Sequence, residues 1–364
     1  MQREAKVEER VLHFKQPAGT SRGVYTERKS WFVTLSDGER TGVGECAPLP
    51  DLSCDARPDY GEVLRRFCDQ WVATGEIDRE AMRDFPSMLF GLETAVLSLR
   101  NGRRLFDTPF SRGEAGITIN GLVWMGSYEE MLQRMEQKLA QGFHCVKLKI
   151  GAIDFDRELD LVRRIRERFS RREVELRLDA NGAFPYDEAL YKLELLSQYA
   201  IHSIEQPIKA AQWGYMAQLC RESPLPIALD EELIGVNDPD MKSHMLGIIK
   251  PAYIVLKPSL HGGMAGCREW IEVARQHDVG SWITSALESN VGLNAIAQFA
   301  SDVYGDDIRM PQGLGTGQLF TDNIPMPLEI RGEKLWSLPP APIPADAPTR
   351  SLSDWRGEFE EMSP

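Results

Sequence analysis

The chain has 364 residues, 42% of them hydrophobic and 27% charged, with a formal net charge of −13. That composition belongs to a globular protein long enough for one large or two moderate domains. Its acidity argues against nucleic acid, whose binders carry a basic footprint, and no run of about 18 apolar residues reads as a membrane span.

The opening MQREAKVEER is charged and has no apolar centre of a secretory signal. Six cysteines, at 46, 54, 68, 145, 220 and 267, form neither a CxxC pair nor a zinc spacing. A cytoplasmic protein with reduced thiols is expected. Lys6–Phe14 mixes apolar and polar residues, and Pro17–Lys29 (PAGTSRGVYTERK), polar and glycine-containing, reads as a loop. Trp31–Leu35 and Thr41–Cys46 flank SDGER, where Asp37-Gly38 signals a hairpin turn. Asp59–Ala73 and Pro86–Arg100 carry helical apolar spacing. A strand-then-helix order over residues 1–113 predicts a small α+β domain.

Beyond it, short apolar stretches alternate with amphipathic ones. The strand candidates are GITING (116–121), CVKLKI (145–150), ELRLDAN (175–181), HSIEQP (202–207), PIALDEE (226–232), YIVLKPS (253–259) and GSWITSALE (280–288), with an eighth near RMPQGLG (309–315). Phe155–Phe169 and Asp187–Tyr199 are among the helices between them. Lys149, Asp179, Glu205, Asp230, Lys257 and Ser285 follow one another at steps of 25–30 residues, the length of one βα unit. An open doubly wound sheet would often carry a Gly-rich phosphate loop, and no GxGxxG or GxxxxGK[ST] follows any strand. Nearly every strand instead ends on a charged or polar group. This is the layout of a (β/α) barrel, whose site is assembled from many strand ends, and it is expected over residues 114–320.

Asp179, Glu205 and Asp230 end three successive strands. Adjacent strands run about 4.8 Å apart, so three neighbouring ends converge on one point. Unpaired carboxylates there repel, and a hard divalent cation resolves the repulsion. Mg²⁺ fits, with Mn²⁺ an equal taker of oxygen ligands. Histidine-rich ligation is not indicated, which disfavours zinc. Lys147 and Lys149 share one face of the preceding strand, and Lys257 lies on the strand after. In a closed barrel they face each other across the metal, a geometry suited to removing a proton beside a carboxylate. A lysine base must be neutral, so burial, a neighbouring ammonium and the cation should lower its pKa. Arg177 has the parity of Asp179 and projects into the same interior. It is a substrate-binding candidate, with a structural partner for a nearby carboxylate the equal alternative. Asn181 has the same parity and reads chiefly as a turn residue.

VKLKIG, LRLDANGAF, IEQPI, IALDEE and IVLKPS, in this order and spacing, resemble the enolase superfamily, and within it the muconate lactonizing branch. The resemblance implies a modified (β/α)7β TIM-type barrel under an N-terminal α+β capping domain, with residues 321–364 returning to the cap. It implies metal ligation by Asp179, Glu205 and Asp230, acid/base roles for Lys149 and Lys257, and support from Lys147. It matches Pro17–Lys29 to the loop that covers the substrate. SIEQPIKAAQW, ALDEELIG, TSALESNVGLNAIAQ and QGLGTGQLF resemble most the o-succinylbenzoate synthase family of menaquinone biosynthesis. That family dehydrates a cyclohexadiene carboxylate by α-proton removal and syn loss of hydroxide. The resemblance places Ser285, Glu288 and Ser289 at the succinyl pocket, and Glu288 reads equally as an interior residue bonded to backbone. N-Succinylamino acid racemases and cycloisomerases of the same scaffold keep the lysine pair. Dipeptide epimerases are disfavoured, since no acid lies between Gly313 and Phe320. A small carboxylate is the expected partner, with neither nucleic acid nor membrane.

Overall fold

The computed structural model describes residues 2–20, 23–305 and 308–338. Strands β1 (Glu4–Thr20) and β2 (Gly23–Ser36) form a long antiparallel hairpin, which β3 (Thr41–Cys46) widens to three strands. Helices α1 (Tyr60–Thr74) and α2 (Pro86–Asn101) cover one face, so that Val33, Leu35 and Cys46 share a core with Leu64, Trp71, Met88 and Leu92. The approach is very close. A Cβ on Gly44 of β3 would stand 1.9 Å from the Gly91 carbonyl oxygen of α2.

Pro17–Lys29, expected as a loop, is instead the outer part of this hairpin over residues 17–20 and 23–29, with 21 and 22 outside the described residues. A register shift between His13 and Ala18 absorbs the proline, after which pairing resumes as Ala18↔Tyr25. Backbone pairing with the facing strand outweighs the weak strand preference of its glycine and polar residues.

The second body follows in the order β4 (Ile117–Thr118), β5 (Gly121–Val123), α3 (Tyr128–Ala140), β6 (Cys145–Lys149), α4 (Phe155–Arg168), β7 (Glu175–Asp179), α5 (Tyr186–Ser197), β8 (Ser203–Glu205) and α6 (Trp213–Glu222). It continues with β9 (Ile227–Leu229), α7 (Pro239–Ile249), β10 (Tyr253–Leu256), α8 (Gly263–Gln276), β11 (Gly280–Ile283) and α9 (Asn290–Tyr304). Strands β5 to β11 form one parallel sheet in sequential order. The expected eighth strand is reduced to two parallel bridges, Thr284↔Gly313 and Ile119↔Gln312, which join the last strand to the first. Each unit is a strand followed by a helix, and the closing residues complete a modified (β/α)7β barrel beneath an α+β cap.

Strand β6 shows why the barrel's strands read as apolar yet carry lysines. Val146 and Leu148 join the core that contains Leu161, Val162 and Ile165 of α4, while Lys147 and Lys149 alternate to the barrel interior. The GITING stretch divides. Ile117 and Thr118 pair with β13 of a hairpin formed by β12 (Leu328–Arg331) and β13 (Lys334–Ser337), and the barrel strand itself begins at Gly121. Between barrel and hairpin, Phe320 bridges Phe14, and His13 holds Thr321 and Asp322 against β1. Residues 339–364 of the segment expected to return to the cap lie outside the described residues.

Candidate active site at the barrel mouth

The polar residues counted along the sequence meet where the strands end. Register places Lys149 beside Asp179 and Asp179 beside Glu205 on β6, β7 and β8. Asp230 follows β9 directly, and β9 pairs with β8, which ends on Glu205. Lys257 follows β10. The carboxylates therefore occupy three adjacent strand ends, with a lysine strand on either side.

All five side chains are buried or nearly so. Lys147 Nζ stands 3.0 Å from Asp179 Oδ2 and 2.9 Å from Glu205 Oε2. Lys149 Nζ is 2.9 Å from Asp179 Oδ2, and Lys257 pairs with Asp230. Burial lowers the pKa of Lys147 and Lys257, as expected, but Asp179 and Glu205 around the first and Asp230 and Glu205 around the second outweigh it and hold both above the usual lysine range. Burial and the charge of Asp179 push Glu205 up to about 8, against the pull of Lys147. Asp179 lies below the usual range, because Lys147 and Lys149 overcome the effect of its own burial.

The donor set suits a divalent cation. Glu205 Oε1 and Asp230 Oδ1 are buried oxygens without a hydrogen-bond partner among the described residues, an arrangement a cation satisfies and an ordinary core avoids. Among the described residues no three acidic, histidine or cysteine side chains already stand grouped as an ion would hold them. The Lys147 ammonium lies between two of the carboxylates.

A pocket opens above this cluster. The barrel supplies Trp124, Lys147, Lys149, Asp179, Asn181, Glu231, Lys257, Ser285, Leu287 and Thr316, and the cap supplies Tyr25, Leu49 and Leu52. The hairpin that replaces the expected loop thus still delivers Tyr25 to the pocket. Ser285 lines the wall and its hydroxyl pairs with that of Thr316 at 2.6 Å.

The other two substrate-binding candidates go elsewhere. Ser289 caps α9 through Val291 N, and its hydroxyl donates to Glu45 of β3 at 2.5 Å. Arg177 sits one layer deeper in the barrel. Its Nε donates to Glu175 at 2.7 Å, its Nη1 to the Pro311 carbonyl at 2.9 Å, and its guanidinium lies 4.5 Å from the Trp282 ring centroid. Parity reports the face a strand residue takes, not its depth in the barrel. Glu288 takes the interior alternative. It accepts from Ser259 Oγ at 2.6 Å and from Ala286 N at 2.7 Å, holding the turn in which Leu287 adopts φ 65°.

Several site residues went unread in the sequence. Trp124 shares the parity of Leu122, a signal that placing the strand at 116–121 obscured. Gln206 clamps two strand ends, since its Oε1 accepts from Asp230 N and Glu232 N while its Nε2 donates to Glu232. Tyr25, Leu49 and Leu52 reach the site only through docking of cap on barrel, which no local pattern encodes.

Residues 130–332 match the family model described as Enolase C-terminal domain-like, and residues 12–99 match that described as MenC, N-terminal domain. An o-succinylbenzoate synthase of Desulfotalea psychrophila is 47% identical, with 88% of this chain and 95% of that protein covered. One from Vibrio cholerae is 28% identical, with 92% of each covered. The crystal structure of MenC from Desulfotalea psychrophila superposes with a TM-score of 0.79 at 42% identity, covering 92% of this chain and all of that one. A muconate lactonizing enzyme from Pseudomonas fluorescens shares the fold, with a TM-score of 0.76 at 20% identity and coverage of 92% and 94%.

Proposed function

Since the chain belongs to the enolase superfamily and, within it, to the o-succinylbenzoate synthase family, we propose that it dehydrates 2-succinyl-6-hydroxy-2,4-cyclohexadiene-1-carboxylate to 2-succinylbenzoate in menaquinone biosynthesis. It is a lyase. We assign the cap to residues 1–113, the barrel to 114–320 and a closing segment to 321–364. The observation that carries the reading is the row of three carboxylates on neighbouring strand ends, flanked by Lys149 and Lys257, with both lysines lining one pocket.

Lys149, as a neutral amine, takes the proton from the carbon that bears the substrate carboxylate. The electron pair left behind spreads into that carboxylate as an enediolate, and Lys257 stands as a cation on the opposite side to stabilise it. The pair then returns to the ring as the bond to the hydroxyl group breaks. The departing oxygen takes the proton from Lys149 and leaves as water, and the ring becomes aromatic. Asp179, Glu205 and Asp230 hold Mg²⁺ or Mn²⁺, which when bound supplies positive charge where the carboxylate gains negative charge. Lys147 supports that cluster. Ser285 and Thr316 offer hydroxyls to the succinyl arm, and Trp124 with Leu287 gives the ring an apolar wall.

The partner is a small carboxylate. No helix among the described residues is long and apolar enough to cross a membrane, and the six unpaired thiols fit a reducing cytoplasm.

The test follows loss of the diene's absorbance with Mg²⁺ present, beside racemization of an N-succinylamino acid. Wild type turns over the diene. Lys149→Ala loses at least about 10³-fold in kcat while calorimetry still records metal binding. Full dehydration by Lys149→Ala would remove the base assignment, and racemization without dehydration by wild type would move the chain to a different reaction on this scaffold.

A further inference from the structure

Lys149 is held from two sides. Its Nζ donates to Asp179 Oδ2 at 2.9 Å and to Asn181 Oδ1 at 2.7 Å, and lies 5.8 Å from the Trp124 ring centroid. Asn181 stands just beyond β7 with φ 45°, a left-handed conformation that non-glycine residues adopt sparingly. Its Nδ2 donates to Glu231 Oε1 at 2.9 Å, across 50 residues of sequence. Glu231 follows Asp230, is 8% exposed, and lines the same pocket.

An amide has one donating and one accepting end. A carboxylate only accepts and an ammonium only donates. Of the two orientations of the Asn181 amide, one alone satisfies both neighbours, and it is the one the structure has. A residue serving merely as a turn would need no carboxylate at its amide nitrogen.

We propose that Glu231 fixes the Asn181 amide so that its oxygen meets Lys149, and that this clamp aims the Lys149 amine at the substrate α-carbon. The proposal rests on the assignment of Lys149 as the base. Asp179 and Asn181 take two of the positions around Nζ, which leaves the remaining one to the pocket that Lys149 lines. A flipped amide would set NH₂ against Nζ, and the lysine would swing off line. Base catalysis is steep in such geometry, so a small misdirection lowers the rate without altering substrate binding. Asn181 and Glu231 are therefore positioning residues that act through Lys149.

The experiment compares wild type, Glu231→Gln, Asn181→Gly, the double variant and Lys149→Ala, on substrate with hydrogen or deuterium at the α-carbon. Glycine at 181 accepts the left-handed backbone while removing the amide. Glutamine at 231 keeps the shape but can donate, which permits the wrong amide orientation. Glu231→Gln is expected to lose about tenfold or more in kcat with KM held within about threefold, and to show a larger deuterium isotope effect. The double variant should be no slower than Asn181→Gly, because both changes break one clamp. An unchanged kcat and isotope effect in Glu231→Gln, or losses that multiply in the double variant, overturns the clamp. So does weakened metal affinity of Glu231→Gln by calorimetry, which would put the residue's role at the cation. Activity retained by Lys149→Ala would instead strike the base assignment itself, a separate failure visible in that arm alone.

Discussion

Arg177 and Lys149 sit one strand apart, both buried and both basic residues, and their surroundings give them opposite work. Arg177 is bound on Glu175, the Pro311 carbonyl and the Trp282 face, well below the pocket floor. Arg177→Met should therefore cost about 1–3 kcal/mol of stability, as loss of a buried group's hydrogen-bond partners does, and should leave KM within about twofold. Denaturant melts and steady-state kinetics on one preparation separate this from a substrate contact, which would move KM first. At this scale the sequence was legible wherever charge and alternation coincided. The spacing of Lys147, Lys149, Asp179, Glu205, Asp230 and Lys257 was sufficient to bring them to one place in the fold. It was not legible where the answer depends on depth or on a partner far along the chain. Ser289 looked like pocket lining, yet its hydroxyl is engaged by Glu45, 244 residues earlier. Asn181 looked like a turn residue and is one, but its amide also has two charged partners.

Among the elements, α2 presents two separate stability tests. Asp55 Oδ2 accepts from Ser87 N and Oγ at the start of this helix, and burial pushes its carboxyl up to about 6 despite those bonds. The folded state thus binds the Asp55 proton more tightly than the unfolded chain. The penalty for burying the charge is full above pH 6 and is relieved as pH falls from 6 towards 4. Relative to Asp55→Asn, wild type should gain about 2 kcal/mol between pH 7.5 and pH 4, read as the difference of the two denaturation curves at each pH. Further along, Gly91 meets Gly44 so closely that Gly44→Ala must part helix and sheet. A loss of about 1–3 kcal/mol is expected, seen as a lower Tm, and insertion of one methyl group here should cost more than the same change at the exposed Gly214, whose Cβ would meet nothing within 4 Å. Most helices and barrel strands were readable to within a few residues because their hydrophobic periods are unambiguous, but the first barrel strand, expected at 116–121, begins at Gly121. The hairpin at Pro17–Lys29 was not, since pairing with a neighbouring strand decides its form. At the eighth strand, reduced to two bridges, Gln312 Oε1 accepts from Ile283 N at 2.7 Å, where a longer strand would offer a backbone carbonyl.

Over the whole molecule, cap and barrel are joined by buried charge. Glu45 on β3 accepts from Ser289 N and Oγ and from Gly292 N, placing a carboxylate at the positive end of α9. Cation binding should tighten the assembly further. With Mg²⁺ at about 100 times its Kd, unfolding should need about 2.7 kcal/mol more than without it. Differential scanning calorimetry should show the shift in wild type and its loss in Asp230→Asn. A shift of equal size in that variant would place the ion elsewhere. The existence of two bodies was readable as a change of grammar near residue 114. Their docking was not, because the contacts that fix it pair side chains hundreds of positions apart.

The bridge between Phe14 and Phe320, with His13 bonded to Asp322, has a consequence for how the protein comes into being. The ribosome delivers the covering hairpin first and its fastening more than 300 residues later. A nascent chain can complete its barrel ring at Gly313 and still leave Tyr25 without the support that seats it over the lysines. The contacts of Phe320 and Asp322 with the hairpin that carries Tyr25 thus form only after the residues that close the barrel have been made.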